Sequence, residues 1–212
     1  MKPMTGLTSA GARSRTHAVQ RAGMVRQAGV FAVEFALVSV IFLTLLFTIL
    51  ELSRALYIWN SLQEVTRRAA RAAAVTNFSD PSAMDKVRQN AIFRSSAGGL
   101  AFSDPITDQH VRIDYMSIRS PSNSQMQKVK IATAALPACP ARNVVTCTAN
   151  SGDDSCIRLV RVRICEPGGD DCTPVPYRTM LPLISFPVNL PRSETIAPAE
   201  SLGYTPGMAL CN

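Results

Sequence analysis

The chain has 212 residues, which is enough for one globular domain with a few added elements but short for two full domains. Its formal charge of +7 is concentrated at the start, where basic residues and no acidic residue precede Glu34. Nucleic-acid binding is not expected, because no basic surface interleaved with aromatic residues and no phosphate-binding loop follows this arm. The basic residues of the arm are Lys2, Arg13, Arg15, Arg21 and Arg26.

An apolar run follows the arm, from Val30 to Leu50, and has about the 20 residues that a transmembrane helix needs. The excess of basic residues before the run predicts a cytoplasmic N-terminus and an exported C-terminal part. The run is longer than that of a secretory signal peptide and has no small-residue cleavage site at its end. We therefore expect a single-pass protein of the inner membrane, held in the lipid bilayer by this run.

One carboxylate, Glu34, lies near the start of the apolar run. An acid there costs up to about 3 kcal/mol at a helix centre and less near an end, so it indicates a function. Cutting the chain after Gly29 would give Val30 an α-amino charge one helical turn before Glu34, and the two charges would neutralise each other within or between chains. Gly29 suits such a cut, because glycine lets the backbone leave the helix. The pattern predicts a site on which a peptidase acts.

The stretch from Gly29 to Phe35, GVFAVEF, resembles the type IV prepilin processing motif in its tight-adherence (Tad/Flp) form. The longer stretch, with VEFALV, ELSRA and RRAARAAA, is similar to the TadE-like family of pseudopilins, and PYRTMLPLISFPVNLPRSETIAPAE resembles the family's C-terminal end more loosely. The resemblance implies cleavage between Gly29 and Val30 by a prepilin peptidase, with Glu34 and Phe35 completing the processing and assembly motif. It also implies other Tad pilins and pseudopilins and the inner-membrane pilus assembly machinery as partners.

Apolar residues at spacings of three and four continue beyond the run and predict an unbroken helix to about Val75. The distal half of this stripe is expected to cover the chain's own sheet more than a neighbouring subunit. The stripe consists of Leu52, Leu56, Trp59, Leu62, Val65 or Thr66, Ala69 and Ala73. The arginines of the opposite face are expected to be solvated, with an acidic partner as the alternative: Arg67, Arg68 and Arg71.

A second helix is expected from Asp80, a capping residue, and Pro81 to about Phe93. The apolar period then changes to alternation in HVRIDYMSIR, QKVKIATA and IRLVRVRIC, which predicts an antiparallel sheet with one face under the long helix and the other in water. Arg161 and Arg163 are predicted to lie on the solvent-exposed face of the sheet. A last strand, in SFPVNLP or SETIAPA, is expected at an edge because of its prolines. The expected fold is α+β and pilin-like, with a disulfide-stapled C-terminal region.

All six cysteines lie beyond the expected membrane span, which predicts disulfides formed in an oxidising compartment. A structural zinc site is not expected, because there is no CxxC pair and the two histidines are distant. The segments CTANSGDDSC and CEPGGDDC are turn-rich, and their acids lack the ligand spacing of a calcium loop. The favoured pairing, one of many that six cysteines allow, is Cys147 with Cys156, Cys165 with Cys172, and Cys139 with Cys211.

No catalytic motif is recognisable, so the protein is not expected to be an enzyme or to need a metal or cofactor. The preferred function is that of a minor pilin or pseudopilin in the assembly or initiation of a Tad pilus for adherence. One alternative is an uncleaved, membrane-anchored periplasmic binding protein. Another is a secreted enzyme dependent on His110 or Asp114, although His110 is expected to be a surface or capping residue. The expected segments are a basic cytoplasmic leader (1–29), a transmembrane helix (30–50), its amphipathic continuation (51–76) and a periplasmic α+β head with cysteine-rich loops (77–212).

Overall fold

A computed structural model describes residues 14–119, 125–169, 171–180 and 188–211. Side chains are described from residue 29 onward. The chain divides into two compact units, residues 1–52 and 53–212. The second unit contains a four-stranded antiparallel sheet, short helices and three disulfides, which confirms the predicted α+β class and the disulfide-stapled C-terminal region.

The first helix, α1, spans Ser14–Val75, and its end agrees with the predicted end. Its most apolar 18-residue window has a mean hydropathy of 2.6, and none of that window is buried. By length and composition α1 is able to cross a membrane, and it is the one such helix in the described part of the chain. The predicted membrane anchor therefore has the geometry that the role requires.

The distal part of α1 forms one wall of the core of the second unit. The buried positions on this wall are Ile58, Leu62, Val65, Thr66, Ala69, Ala70, Ala73 and Ala74. The expectation that the distal stripe serves the chain's own core is therefore confirmed. The earlier positions of the stripe differ, because Leu52, Leu56 and Trp59 are 61%, 54% and 50% exposed.

The C-terminal segment closes over the end of α1. The backbone N–H groups of Glu200 and Leu202 both donate to the carbonyl oxygen of Ala74, at 3.1 and 3.0 Å, and thereby satisfy a terminal carbonyl of the helix. Gly203 has a φ of +80°, and a Cβ atom there would lie 2.6 Å from the backbone nitrogen of Asn77. Only glycine fits this approach of the two backbones.

The second helix, α2, spans Pro81–Ala91. The Asp80 carboxylate accepts hydrogen bonds from the backbone N–H groups of Ser82 (2.9 Å) and Ala83 (3.2 Å), which confirms the predicted cap. The helix ends two residues before the predicted Phe93, which adopts a φ of +62°. A left-handed residue of this kind terminates a helix.

The sheet has the strand order β2-β1-β3-β4 and is antiparallel throughout. The predicted alternating segments supply the first three strands, and SETIAPA supplies the fourth at an edge, as expected for a strand that contains proline. The strands are β1 (Val111–Arg119), β2 (Gln127–Lys130), β3 (Leu159–Ile164) and β4 (Glu194–Pro198).

The two faces of the sheet differ in chemistry. Val111, Tyr115 and Val160 on the inner face belong to the same core as α1. The outer face was expected to lie in water, but this expectation is wrong at its centre. Asp114 and Met116, which point to the outer face by the alternation of the strand, are only 5% and 3% exposed.

A third helix, α3, spans Pro140–Ala149 in a region where the sequence predicted only turns and loops. All three favoured cysteine pairs are confirmed. The Cys147–Cys156 and Cys165–Cys172 bridges close short loops, with Cα atoms 5.0 and 4.9 Å apart. The third bridge, between Cys139 and Cys211, ties the start of α3 to the C-terminal segment.

Candidate functional site

The first candidate site is the proximal surface of α1 from Gly29 to Phe35. Glu34 is exposed on this helix, and its neighbours Phe31 and Phe35 are 71% and 67% exposed. Among the described residues no hydrogen bond or ion pair involves the Glu34 carboxylate. In a bilayer this surface would present one acid without a partner.

The two threonines of the apolar segment behave differently from Glu34. The Thr44 hydroxyl donates to the carbonyl oxygen of Ile41 at 2.8 Å, and the Thr48 hydroxyl donates to that of Thr44 at 2.7 Å. These bonds satisfy both hydroxyls within the helix, as lipid requires. Glu34 has no such internal partner in the described part of the chain, so a second group from elsewhere is needed to neutralise it.

Gly29 and Val30 lie inside α1, so the peptide bond between them is helical in this structure. Among the residues whose side chains are described, none lies within 4 Å of a Cβ atom placed on Gly29, apart from the backbone of the helix itself. Cleavage requires the bond to leave the helix first. Glycine lowers the cost of that opening by about 1 kcal/mol relative to alanine.

The predicted basic leader falls mainly outside the described residues. Lys2 and Arg13 belong to the range 1–13, which the structure does not describe, and only the backbone of residues 14–28 is described. The backbone of the second range is helical. The leader's charge distribution therefore remains a feature of the sequence.

A second polar constellation lies on the outer face of the sheet and has Asp114 at its centre. The Asp114 side chain is only 4% exposed. Four cations surround its carboxylate: Arg163 at 2.6 Å, Arg161 at 3.2 Å, Arg112 at 3.4 Å and Lys130 at 3.4 Å. We call these five residues the Asp114 cluster.

The strand register builds the Asp114 cluster. In the β1–β3 ladder Asp114 is opposite Arg161 and Arg112 is opposite Arg163, while β2 contributes Lys130 beside Met116. Directly opposed residues of antiparallel strands have side chains close enough to interact. Three strands thus place four cations on a single carboxylate.

The electrostatics of the Asp114 cluster favour the ionised acid. Burial alone would raise the pKa of Asp114, but the hydrogen bond and charge of Arg163, together with the charges of Lys130 and Arg161, lower it below its ordinary value of 3.8. The Nε atoms of Arg161 and Arg163 are buried and have no hydrogen-bond partner in the described structure. The cluster retains a net charge of +3, and its geometry is that of a structural ion network.

His110 has a local structural role. It is 7% exposed, so the expected surface position is wrong, whereas the capping role is confirmed. Its Nδ1 atom accepts a hydrogen bond from the backbone N–H of Thr107 at 3.0 Å. Burial lowers the pKa of His110, with partial compensation from the charges of Glu166 and Asp108. The ring therefore fixes the turn that leads into β1.

A polar cleft of about 520 Å³ lies beside the Asp114 cluster and shares Arg112 with it. Acidic and basic side chains both line it, among them Asp85, Arg88 and Glu166. Within the described residues no group of histidine, cysteine, aspartate or glutamate is arranged to hold a metal ion. Among the residues that the structure describes, neither this cleft nor the Asp114 cluster pairs a nucleophile with a base.

A comparison with known proteins covers the first candidate site. A family model described as TadE-like protein matches residues 29–71, about a fifth of the chain. The match lies wholly on α1, begins at Gly29 and includes Val30, Glu34 and Phe35. No curated protein and no solved structure matches the chain. The match confirms the resemblance to the TadE-like family, which relates the protein to the Tad pilus.

Proposed function

We propose that this TadE-like protein is a minor pilin or pseudopilin of the Tad type IV pilus, cut after Gly29 by a prepilin peptidase. Its role is in the assembly or initiation of the pilus, and the chain itself catalyses no reaction. The observation that carries the proposal is the exposed Glu34 carboxylate on the apolar part of α1, inside the TadE-like segment. A charge held there at a cost of up to about 3 kcal/mol requires a compensating partner.

In the proposed mechanism, cleavage after Gly29 creates the charged group that compensates Glu34. Hydrolysis of the Gly29–Val30 bond leaves a carboxylate on Gly29 and an α-ammonium group on Val30. The new cation lies one helical turn before Glu34, at the spacing where helix side groups are neighbours. Within a bundle of apolar helices the two charges neutralise each other, in the same chain or between adjacent subunits, and so fix the register of the bundle.

Two further features support an exported head. Disulfides form in oxidising compartments, and the second unit carries three of them. The basic residues before Gly29 favour a cytoplasmic N-terminus. In the proposal the membrane segment is residues 30–50, and the prepilin peptidase, other Tad pilins and the inner-membrane assembly machinery are its partners.

The N-terminus of the mature chain tests the proposal. Protein recovered from membranes of cells that contain the prepilin peptidase is expected to begin at Val30, whereas protein from cells without the peptidase keeps the leader. Intact mass and N-terminal sequencing measure both. A leader retained in both strains would instead support an uncleaved, membrane-anchored binding protein.

A substitution at Gly29 sharpens this test. Gly29→Ala stabilises the helix around the bond by about 1 kcal/mol, which is expected to reduce cleavage about fivefold in a pulse-chase measurement. Gly23→Ala makes the same change upstream on the same helix and is expected to leave the rate unchanged. Equal slowing in both variants would show that Gly29 has no special part in the cut.

A further inference from the structure

A ring of exposed aromatic and apolar residues lies close to the start of the helix of the second unit. Leu56, Tyr57 and Trp59 are 54%, 43% and 50% exposed, although Ile58 between them is 1% exposed. Phe102, in a loop of the head, is 80% exposed. Exposed aromatic residues so grouped mark an interaction surface.

Arg54 fixes the loop that carries Phe102. Its guanidinium donates hydrogen bonds to the carbonyl oxygens of Phe102 (2.9 Å) and Arg178 (2.6 Å), and it lies 5.4 Å from the centre of the Tyr177 ring. The Phe102 ring packs edge-to-face on Tyr57, with centroids 6.3 Å apart. Phe102 is therefore held at the level of residues 54–57 of α1.

The backbone of Phe102 supports a functional reading of its exposure. Phe102 has a φ of +56°, a conformation that costs a non-glycine residue about 1–2 kcal/mol. Its large apolar side chain is nevertheless turned to the outside. Phe93 shares the positive φ, but its ring is only 53% exposed and lies on Arg68, so the strain at Phe102 supports a partner outside the head only together with the greater exposure of its ring.

The distribution around α1 identifies the partner. At about 100° per residue, Tyr57 and Trp59 lie about 160° apart around the helix. Leu56 lies between them, on the side of the helix opposite Ile58. A partner helix covers a single stripe, whereas these residues spread over about 160° of the surface of α1 that the core leaves open. A bilayer contacts all sides at once.

The position along α1 also fits a bilayer surface. Tyr57 follows the apolar run by seven residues, or about 10 Å of helix, and helical side chains point back toward the N-terminus and thus toward the run. Tyrosine and tryptophan are enriched at membrane–water interfaces, where the ring lies among the head groups.

We propose that Leu56, Tyr57, Trp59 and Phe102 form an interfacial ring that seats the head on the head-group region of the bilayer. This proposal rests on the membrane-spanning role of residues 30–50 in the proposed function. Before assembly the ring fixes the depth of the chain in the membrane. The loop of Phe102 extends it beyond α1, so that the head as well as the helix contacts lipid.

The sole tryptophan of the chain, Trp59, allows the proposal to be tested without substitution. The full chain is reconstituted in vesicles of phosphatidylethanolamine and phosphatidylglycerol that carry a nitroxide either in the head group or deep in the acyl chain. Trp59 emission is expected to be quenched about twofold more by the head-group label than by the deep label. Equal and weak quenching by both labels, with full access to aqueous iodide, would overturn the proposal.

In the head, Phe102 is the position to be tested for lipid contact and Phe93 is its matched control. Both are exposed and have positive φ, but Phe93 packs on Arg68, about 21 Å farther along α1 than Arg54. In a Trp59→Phe background, Phe102→Trp is expected to be quenched by the head-group label and Phe93→Trp by iodide alone. Iodide access and weak lipid quenching at both positions would contradict the seating of the head. Protection of Phe102→Trp from both quenchers that grows with protein density would assign the surface to a second copy.

A third variant separates failure of the ring from failure of the membrane span. In the same background, Val40→Trp lies in the middle of the apolar run and is expected to be quenched by the deep label. If Val40→Trp is quenched but Phe102→Trp is not, the span stands and the interfacial ring is wrong. If Val40→Trp is not quenched, the span of the proposed function itself fails.

Discussion

We expect the Glu34→Ala chain to insert into the membrane and to be cut after Gly29, as the native chain is. We expect it to be missing from assembled pili. The substitution deletes an acid that costs up to about 3 kcal/mol in lipid, so insertion becomes easier. Assembly loses the only acid of the segment that can face the Val30 amine. If the pair contributes about 2 kcal/mol to each subunit contact, incorporation falls about 30-fold.

The measurement is the share of the protein in the sheared pilus fraction relative to the membrane, together with the number of pili per cell. Glu34→Asp keeps the charge on a shorter side chain and is expected to restore part of the incorporation. Glu64→Ala is a control on the same helix, because its carboxylate is 49% exposed and pairs with Arg68 at the surface. Such a pair contributes less than about 1 kcal/mol, so assembly should not change. Normal incorporation of the Glu34→Ala chain into pili would contradict the proposed pairing of Glu34 with the Val30 amine.

The elements predicted correctly are those specified by local sequence. Asp80 and Pro81 start α2 through a cap that needs only neighbouring residues. Val160 and Val162 alternate with Arg161 and Arg163, and that period alone assigns β3 and its two faces. The short disulfide loops were predictable for the same reason, since their cysteines are close in sequence and separated by turn residues.

Helix α3 was not predictable, because distant contacts hold it. Val144 and Val145 are 39% and 47% exposed, whereas the polar Asn143 is 7% exposed, so the apolar residues of this helix do not mark its buried face. Its stability comes from elsewhere in the chain: the Asn143 side-chain oxygen accepts a hydrogen bond from the backbone N–H of Ile157 at 2.9 Å, and Cys147 is bridged to Cys156. Neither contact can be inferred from PARNVVTCTA.

The Asp114 cluster was missed for a related reason. The alternation of the sequence predicts Arg161 and Arg163 on the outer face, but no local pattern connects them with Asp114. What brings them together is the register of β1 on β3, which pairs Asp114 with Arg161 across 47 positions of sequence. If β1 were shifted by two residues along β3, every side chain would stay on its face of the sheet, but Asp114 would no longer lie opposite Arg161.

Asp114→Asn is expected to lower the free energy of unfolding by about 3 kcal/mol. The substitution keeps the size of the side chain but leaves four cations around a neutral group that is 4% exposed. Removing one partner of a buried ion network costs about 3–5 kcal/mol, and the value here is at the low end because the cations are 18% to 34% exposed. The variant should therefore unfold about 10 °C lower.

Thermal and denaturant unfolding of the full oxidised chain in detergent measure this loss. Asp85→Asn is the matched control, because it removes a carboxylate that is 62% exposed and pairs with Arg88 on the surface of α2. Its effect should stay within about 0.5 kcal/mol. Equal effects of the two substitutions would mean that the buried position of Asp114 contributes nothing.

The pH dependence distinguishes the charge of Asp114 from its shape. Because folding lowers the pKa of this carboxyl below 3.8, its contribution is complete above that pH and is lost as the pH falls through the folded-state value. Asp114→Asn has no such proton to gain, so the difference in unfolding free energy between the native chain and the variant should shrink on acidification below 3.8. The lowered pKa values of Asp80 and Asp153 are common to both chains and cancel in this difference. A difference that stays constant through this range would show that packing of the side chain, and not its charge, holds the three strands together.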